Sequence, residues 1–377
     1  MPDSFVEVTQ RGWGNRIMGS IMGVFFGIAL FLGSFYLLYW NEGRVDMSKI
    51  AMTAVQIGAE AVDATANGKL VSVTGTVKTD ETVGDGLFLK LGNWLAIDRN
   101  VEMYAWGEHK STKSQTNVGG SSTETTTYSY SKGWTDHPTA TADFQHPEGH
   151  ENPAMPNLEG SSGTVGTAKI GAYDLPMGEI QLPGYKDLSL NPNMLELKDG
   201  FTLVDSKFLF KGKGTMGTPE VGDMRVSYSD VPNGFDGTAF GKLEGSTIRP
   251  FMTDKGDILH RLFYGSRDGA IKTMSTEYLM WIWIFRGIGF FMMFLGLSMI
   301  FGPISVFLDV LPIFGSISRA AVGGLAFIVS IVLSIVTILV SMLFHSLMAV
   351  LIAVAVIVVG LIVWIMSKRK KAAGAQA

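Results

Sequence analysis

The sequence predicts an α+β membrane protein. Four transmembrane helices are expected, one N-terminal and three C-terminal, with a large, mostly β extracytosolic domain inserted between spans 1 and 2. Three observations predict this architecture. Charged residues make up 17% of the 377 residues, against about a quarter in an ordinary soluble domain. The shortage is local: residues 278–367 hold three charges in 90 positions, Arg286, Asp309 and Arg319. Residues 45–278, by contrast, carry 30 acidic and 21 basic side chains, a net of −9, and much of that stretch alternates as strands do. The uncharged stretch excludes a purely soluble protein. The acidic stretch argues against nucleic-acid phosphates, which call for a basic face. Absence of cysteine excludes disulfides, thiolate zinc sites and cysteine nucleophiles.

Taken in order, residues 1–16 are expected as a cytoplasmic N-terminus. Residues 17–40 are an uncharged run of 24, and about 20 apolar residues cross the hydrocarbon core as a helix. The run is too long for a cleavable signal peptide and ends in bulky Tyr39-Trp40. Residues 41–278 form the extracytosolic domain. It opens on a helix at 46–65, where Met47, Ile50, Ala54, Ile57 and Ala61 recur at helical spacing. Strands are expected at 70–77, 101–106, 126–131, 202–210 and 224–229, with a Ser/Thr/Gly-rich hairpin tip at 111–127. Residues 147–163 read as loop. The second span is expected at 280–301. Residues 302–319 are an amphipathic cytoplasmic connector broken by Asp309, Pro312 and Gly315. The third and fourth spans fall at 320–344 and 347–366, separated by His345-Ser346.

Orientation follows from basic residues at span ends. Arg11 and Arg16 precede the first span, Arg319 lies in the connector, and Lys368, Arg369, Lys370 and Lys371 anchor a cytoplasmic tail at 367–377. Both termini are therefore expected inside, and residues 45–278 outside.

Few motifs carry chemistry. Gly19-x-x-x-Gly23-x-x-x-Gly27 puts three glycines on one helix face, where a second backbone can approach closely. The partner is either another copy or another span. Arg286 sits a turn or two inside the second span. It is expected as an interface anchor whose long side chain snorkels to the headgroups, since no other charge enters a span. His137, His146 and His150, with His109 upstream, lie among Asp136, Asp143, Glu148 and Glu151. Their spacing matches no metal site, and Pro153 breaks any H-E-x-x-H helix. Gly212-x-Gly214-x-x-Gly217 lacks a βαβ unit around it, and Gly160-Ser-Ser-Gly163 is a residue short of a nucleophile elbow. No catalytic residue, cofactor site or metal site is expected.

Several pieces together resemble one family. They are Ser34-Phe-Tyr with Asn41-Glu-Gly-Arg44, Arg99-x-Val-Glu-Met-Tyr-x-Trp106, Tyr128-Ser-Tyr130 with Trp134, and Gly149-His150-x-Asn152-Pro153. Pro219-Glu-Val-Gly-Asp-Met-Arg-Val-Ser227, Pro250-Phe251 and Gly256-Asp257 follow. In the membrane part Arg286, Gly289, Met293-Phe294, Gly296-Leu297 and Leu308-Asp309 with Pro312 and Phe314 complete the set. The chain resembles the LUMA, or transmembrane protein 43, family of four-span membrane proteins over nearly its whole length. The resemblance implies an integral membrane protein that self-associates and has no established enzymatic activity. For the animal member it implies partnership with lamins and emerin at the nuclear envelope. The short cytoplasmic ends and the lack of any N-x-S/T site in the exported domain point to a bacterial member.

The function these features imply is a self-associating membrane scaffold with an exported protein-interaction domain and no catalysis. Its partners are other copies, membrane lipids and unidentified membrane or periplasmic (or lumenal) proteins, without nucleic acid. The location is the bacterial inner membrane, or the endoplasmic reticulum and inner nuclear membrane for a eukaryotic source. A channel or transporter is the first alternative, and Ser330, Ser334, Thr337 and Ser341 are all it has to line a pore. An extracytosolic metal-dependent enzyme built on His137, His146 and His150 is the second.

Overall fold

The computed structural model describes residues 3–310 and 312–345. The expected fourth span at 347–366 and the basic tail at 368–371 lie outside them. The chain starts with β1 (Ser4–Arg11) and α1 (Trp13–Glu42), then α2 (Met47–Met52) and β2 (Val55–Ile57). Next come β3 (Leu70–Lys78), β4 (Trp94–Thr116), β5 (Ser122–Thr135), β6 (Ser161–Thr164), β7 (Thr167–Ile170) and β8 (Tyr173–Pro176). They are followed by β9 (Lys186–Asp187), β10 (Thr202–Val204), β11 (Phe208–Lys211), β12 (Met224–Pro232) and β13 (Phe235–Glu244). After β14 (Thr247–Arg249), β15 (Phe251–Met252), β16 (Ile258–Leu259) and β17 (Arg261–Tyr264), the chain turns helical. The described residues end in α3 (Arg267–Ile300), α4 (Gly302–Leu308) and α5 (Pro312–His345). Two units result. One comprises Met1–Glu7, Asp46–Lys113 and Thr125–Thr276; the other Val8–Val45, Ser114–Glu124 and Glu277–Ala377.

The first unit is mostly β. Its larger sheet runs β1-β5-β4-β12-β11-β10, with β6 beside β4 and β9 beside β12. In the other sheet β3 pairs with β7 and β13, β7 with β8, β8 with β14 in parallel, and β14 with β13. Those five strands close a ring, and closure removes the edges an open sheet would offer. Val71, Val73, Leu95, Ile97, Tyr173, Leu209 and Leu243 are fully buried in the core of this unit.

Several expectations give way here. The helix expected at 46–65 stops at Met52. Asp46 caps it by accepting from the Ser48 amide, but Val55, Gln56 and Ile57 then pair in parallel with Val71, Ser72 and Val73. Sheet hydrogen bonds to β-branched residues override the helical spacing of Ile57 and Ala61. The strand expected at 202–210 is a hairpin, because Asp205 and Ser206 both turn at φ 52°. The end of the 147–163 loop is recruited as β6, paired with β4 from Ala96 to Arg99.

The N-terminus differs most. Residues 4–11 are a strand of the larger sheet, with the Tyr130 amide donating to the Asp3 carbonyl at 2.9 Å. Phe5 and Glu7 turn inward while Val6 and Val8 are exposed, the period of two that strands require. Residues 1–16 are therefore not a separate segment.

The second unit is helical. Among the described residues, three helices are long and apolar enough to cross a membrane. The one expected at 280–301 begins at Arg267, because Ala270, Ile271 and Met274 pack with Phe240, Leu259 and Phe263 in a satellite core of the first unit. The one expected at 320–344 begins at Pro312, a residue suited to a first helical turn. The connector at 302–319 is correspondingly divided between α4 and the start of α5.

Candidate functional site

At one end of the helical unit, Asp309 is fully buried and holds two arginines. Arg319 Nη1 donates to both carboxylate oxygens at 2.7 Å, and Arg16 Nη2 donates at 2.6 Å. Trp13 Nε1 donates to the Val306 carbonyl at 3.1 Å. The β4–β5 turn joins this hub: Arg16 Nη1 donates to the Gly120 carbonyl, and Arg319 Nη1 to Thr116 Oγ1 at 2.8 Å. Gly119 and Gly120 take φ of 86° and 80° to make the turn, and a Cβ on Gly120 would strike the Trp13 ring. Arg11 adds an ion pair to Glu124 at 3.1 Å.

The hairpin tip is thus in direct contact with Arg11, Arg16 and Arg319. The check is an Arg11→Cys/Glu124→Cys pair, which in this cysteine-free chain should close an intramolecular disulfide under mild oxidation in native membranes. A pair that stays reduced, with each thiol labelled from a different side, would contradict the contact.

The other end is built by the Asn41-Glu-Gly-Arg44 run. Asn41 is buried, and its Nδ2 donates to the Ile282 carbonyl at 3.1 Å. Glu42 accepts from Arg286 Nε at 2.8 Å and Nη2 at 2.9 Å, a forked pair. Gly43 leaves room for the His345 ring, which also packs on Tyr39 with centroids 4.5 Å apart. Arg286 is therefore held by a carboxylate and lies 4.9 Å over Trp283. A bilayer makes an unpaired charge costly, and a forked partner offsets that cost.

The glycine seam has its partner in the same chain. A Cβ on Gly27 would meet the Gly296 carbonyl and Met299 Cβ at 2.8 Å, so α1 and α3 cross backbone to backbone there. Gly289 makes the same allowance for Leu38. Gly23 is less confined, 3.7 Å from Met299 Cε, and Gly19 has nothing within 4 Å.

In the first unit the three histidines part company. His137 is 89% exposed and pairs with Asp136. His146 stacks on Phe5 at 4.4 Å with Glu7 beside it. His150, 1% exposed, stacks on Tyr130 at 3.9 Å and meets the Trp106 ring edge-on. Next to it Asn152 bonds both backbone groups of Trp106, accepting from the amide and donating to the carbonyl. Among the described residues no three of His, Asp and Glu converge as metal ligands. The Gly149-His150-x-Asn152 run is a clasp for strands.

A buried ionic network lies elsewhere in this unit. Asp85 accepts from the Leu87, Phe88 and Leu89 amides at 2.8–2.9 Å, from Arg99 at 2.7 Å and from the Tyr228 hydroxyl. Burial pushes its carboxyl up, but the bonds from Tyr228, the Leu87 amide and Arg99 outweigh that and hold it below its ordinary value. Burial and the bond to Asp85 push the Tyr228 hydroxyl well up. Gly212 and Gly214 likewise flank a capping carboxylate: Asp223 accepts from the Lys213, Gly214 and Glu220 amides.

Sequence reasoning singled out Glu42 and Gly296 only within the resemblance, without their packing roles, and missed the Asp85 network. Glu42 had a signal, since an arginine inside a span calls for an acid at its own depth.

Long apolar helices joined to a β unit define an integral membrane protein of several spans. The sequence pattern of the family described as Transmembrane protein 43 matches residues 103–347. The chain belongs to that family. It is 27% identical to Transmembrane protein 43 of Rattus norvegicus over 353 residues, covering 86% of each chain. Against the Homo sapiens protein of the same name it is 27% identical over 344 residues, 85% of this chain and 84% of the relative. The Drosophila melanogaster homolog is 24% identical over 291 residues, 72% and 75% of the two chains. No solved structure matches.

Proposed function

We propose that the protein is a self-associating membrane scaffold whose β unit offers the surface for protein partners. The observation that carries this reading is where the buried charges go. Asp309 holds Arg16 and Arg319, Glu42 holds Arg286, and Asp85 holds Arg99. Each binds one element of the chain to another, which a scaffold requires and a reaction does not. The membrane is crossed by α1, α3 and α5; the span expected at 347–366 lies outside the described residues. Contact between copies uses the face of α1 turned away from α3, where Met18, Met22, Phe25 and Phe26 are 64–68% exposed. Apolar helices associate in lipid by packing, not by a hydrophobic drive.

Ser330, Ser334 and Ser341 are buried along α5, which favours a channel as the second reading. Thr337 and Ser341 already donate to carbonyls one turn back, the bond by which a hydroxyl is satisfied within its own helix. Two differently tagged copies expressed together should co-purify from native membranes. They should still do so when His137, His146 and His150 are all alanine. Ion flux in liposomes from a chain that never captures its second tag would favour the channel instead.

A further inference from the structure

Three of the four residues in the Asn41-Glu-Gly-Arg44 run have their places in the packing described above, and Arg44 is the remainder. Its guanidinium carbon lies 5.7 Å from the Trp40 ring centroid and 5.4 Å from that of Phe285. Nη1 is buried with no hydrogen-bond partner among the described residues. The carboxylate two positions away is committed, because both Glu42 oxygens accept from Arg286. A guanidinium offers five donors and no acceptor, and a charged donor shut off from water without an acceptor is destabilising. The described residues leave this donor without an acceptor, and a ligand can supply one.

The surroundings define its chemistry. Trp40, Trp281 and Trp283, each 44–66% exposed, lie on α1 and α3 around the pairing of Glu42 with Arg286. Exposed tryptophans on apolar helices mark the headgroup level of a bilayer. Acyl chains hold no acceptor at that depth, whereas the headgroup layer is rich in phosphodiester oxygens, whose geometry a guanidinium fork matches. Glu42 neutralises Arg286, so Arg44 gives this cluster a net positive charge that favours anionic lipid.

We propose that Arg44 is a binding site for the phosphodiester of an anionic membrane phospholipid. Trp40 and Phe285 pack edge to face with centroids 5.4 Å apart, and the guanidinium rests against both rings, so its place is set before the lipid arrives. A lysine at this place would keep the charge and lose the fork.

The test is titration of the full-length chain, purified in non-ionic detergent, with phosphatidylglycerol under native mass spectrometry. One tightly held lipid per chain is expected, and Arg44→Gln should weaken its binding by about tenfold or more. Arg44→Lys should fall between the two, and diacylglycerol, which shares the tails but lacks the phosphate, should not bind the site. Unchanged affinity in Arg44→Gln would overturn the proposal. So would displacement of the lipid by inorganic phosphate, or diacylglycerol binding as tightly. If Arg44→Gln does not fold, Arg44→Lys carries the test, and wild-type affinity in that variant overturns the site.

Discussion

Asp85→Ala should lower the stability of the β unit by about 3–5 kcal/mol, the range for stripping the partner from a buried ion pair. The Asp85 side chain is fully buried and Arg99 is 9% exposed, so water cannot replace the lost carboxylate. Three backbone amides and the Tyr228 hydroxyl lose their acceptor in the same step. For a unit of this size the loss corresponds to a midpoint lower by about 10 °C, read by circular dichroism at the strand band. Asp85→Asn should cost less, because one carbonyl oxygen still serves the amides. The same network has a pH signature. A carboxyl held below its ordinary value stabilises fully above about pH 4, and that contribution disappears as pH falls through the lower folded value. Asp85→Ala should therefore flatten the acid limb of stability. A melt equal to wild type at pH 7 would mean that Arg99 finds another partner.

Gly27→Leu should open the α1–α3 crossing. The atoms a side chain would strike are the Gly296 carbonyl, Met299 Cβ and the Ile300 amide nitrogen, and backbone cannot swing away as a flexible side chain does. Overpacking of this kind costs about 1–3 kcal/mol or more. The order of effect should be Gly27→Leu, then Gly23→Leu, then Gly19→Leu near zero, measured as thermal loss of helix signal in detergent. Phe25→Leu, on an exposed face, should leave this melt unchanged. Equal melts for Gly27→Leu and Gly19→Leu would remove the crossing from the account.

The sequence showed the parts of this fold that depend on long, local patterns. Uncharged runs announced α1, α3 and α5, and alternation announced β3, β4, β5 and β12. Their ends were harder to place, since α3 starts early only because Ala270, Ile271 and Met274 find a core in the β unit. Ring closure through the parallel β8–β14 pair joins Asp174 to Thr247, a contact that no local pattern encodes. The strand at 4–11 does alternate, yet its basic end at Arg11 led the reading toward a cytoplasmic tail. The glycine face was visible, and its occupant was not, because a second copy and a second span need the same small residues. Arg286 stood out as the charge inside a span; its partner lay two positions past the expected end of the first.

The scaffold reading depends on copies meeting in the membrane. Single-molecule photobleaching of the fluorescently tagged chain in native membranes, at low expression, counts copies per particle directly. Particles bleaching in two or more steps are the expected result, and Phe25→Ala/Phe26→Ala on the exposed α1 face should shift them toward one. A population bleaching in a single step at every expression level would contradict self-association.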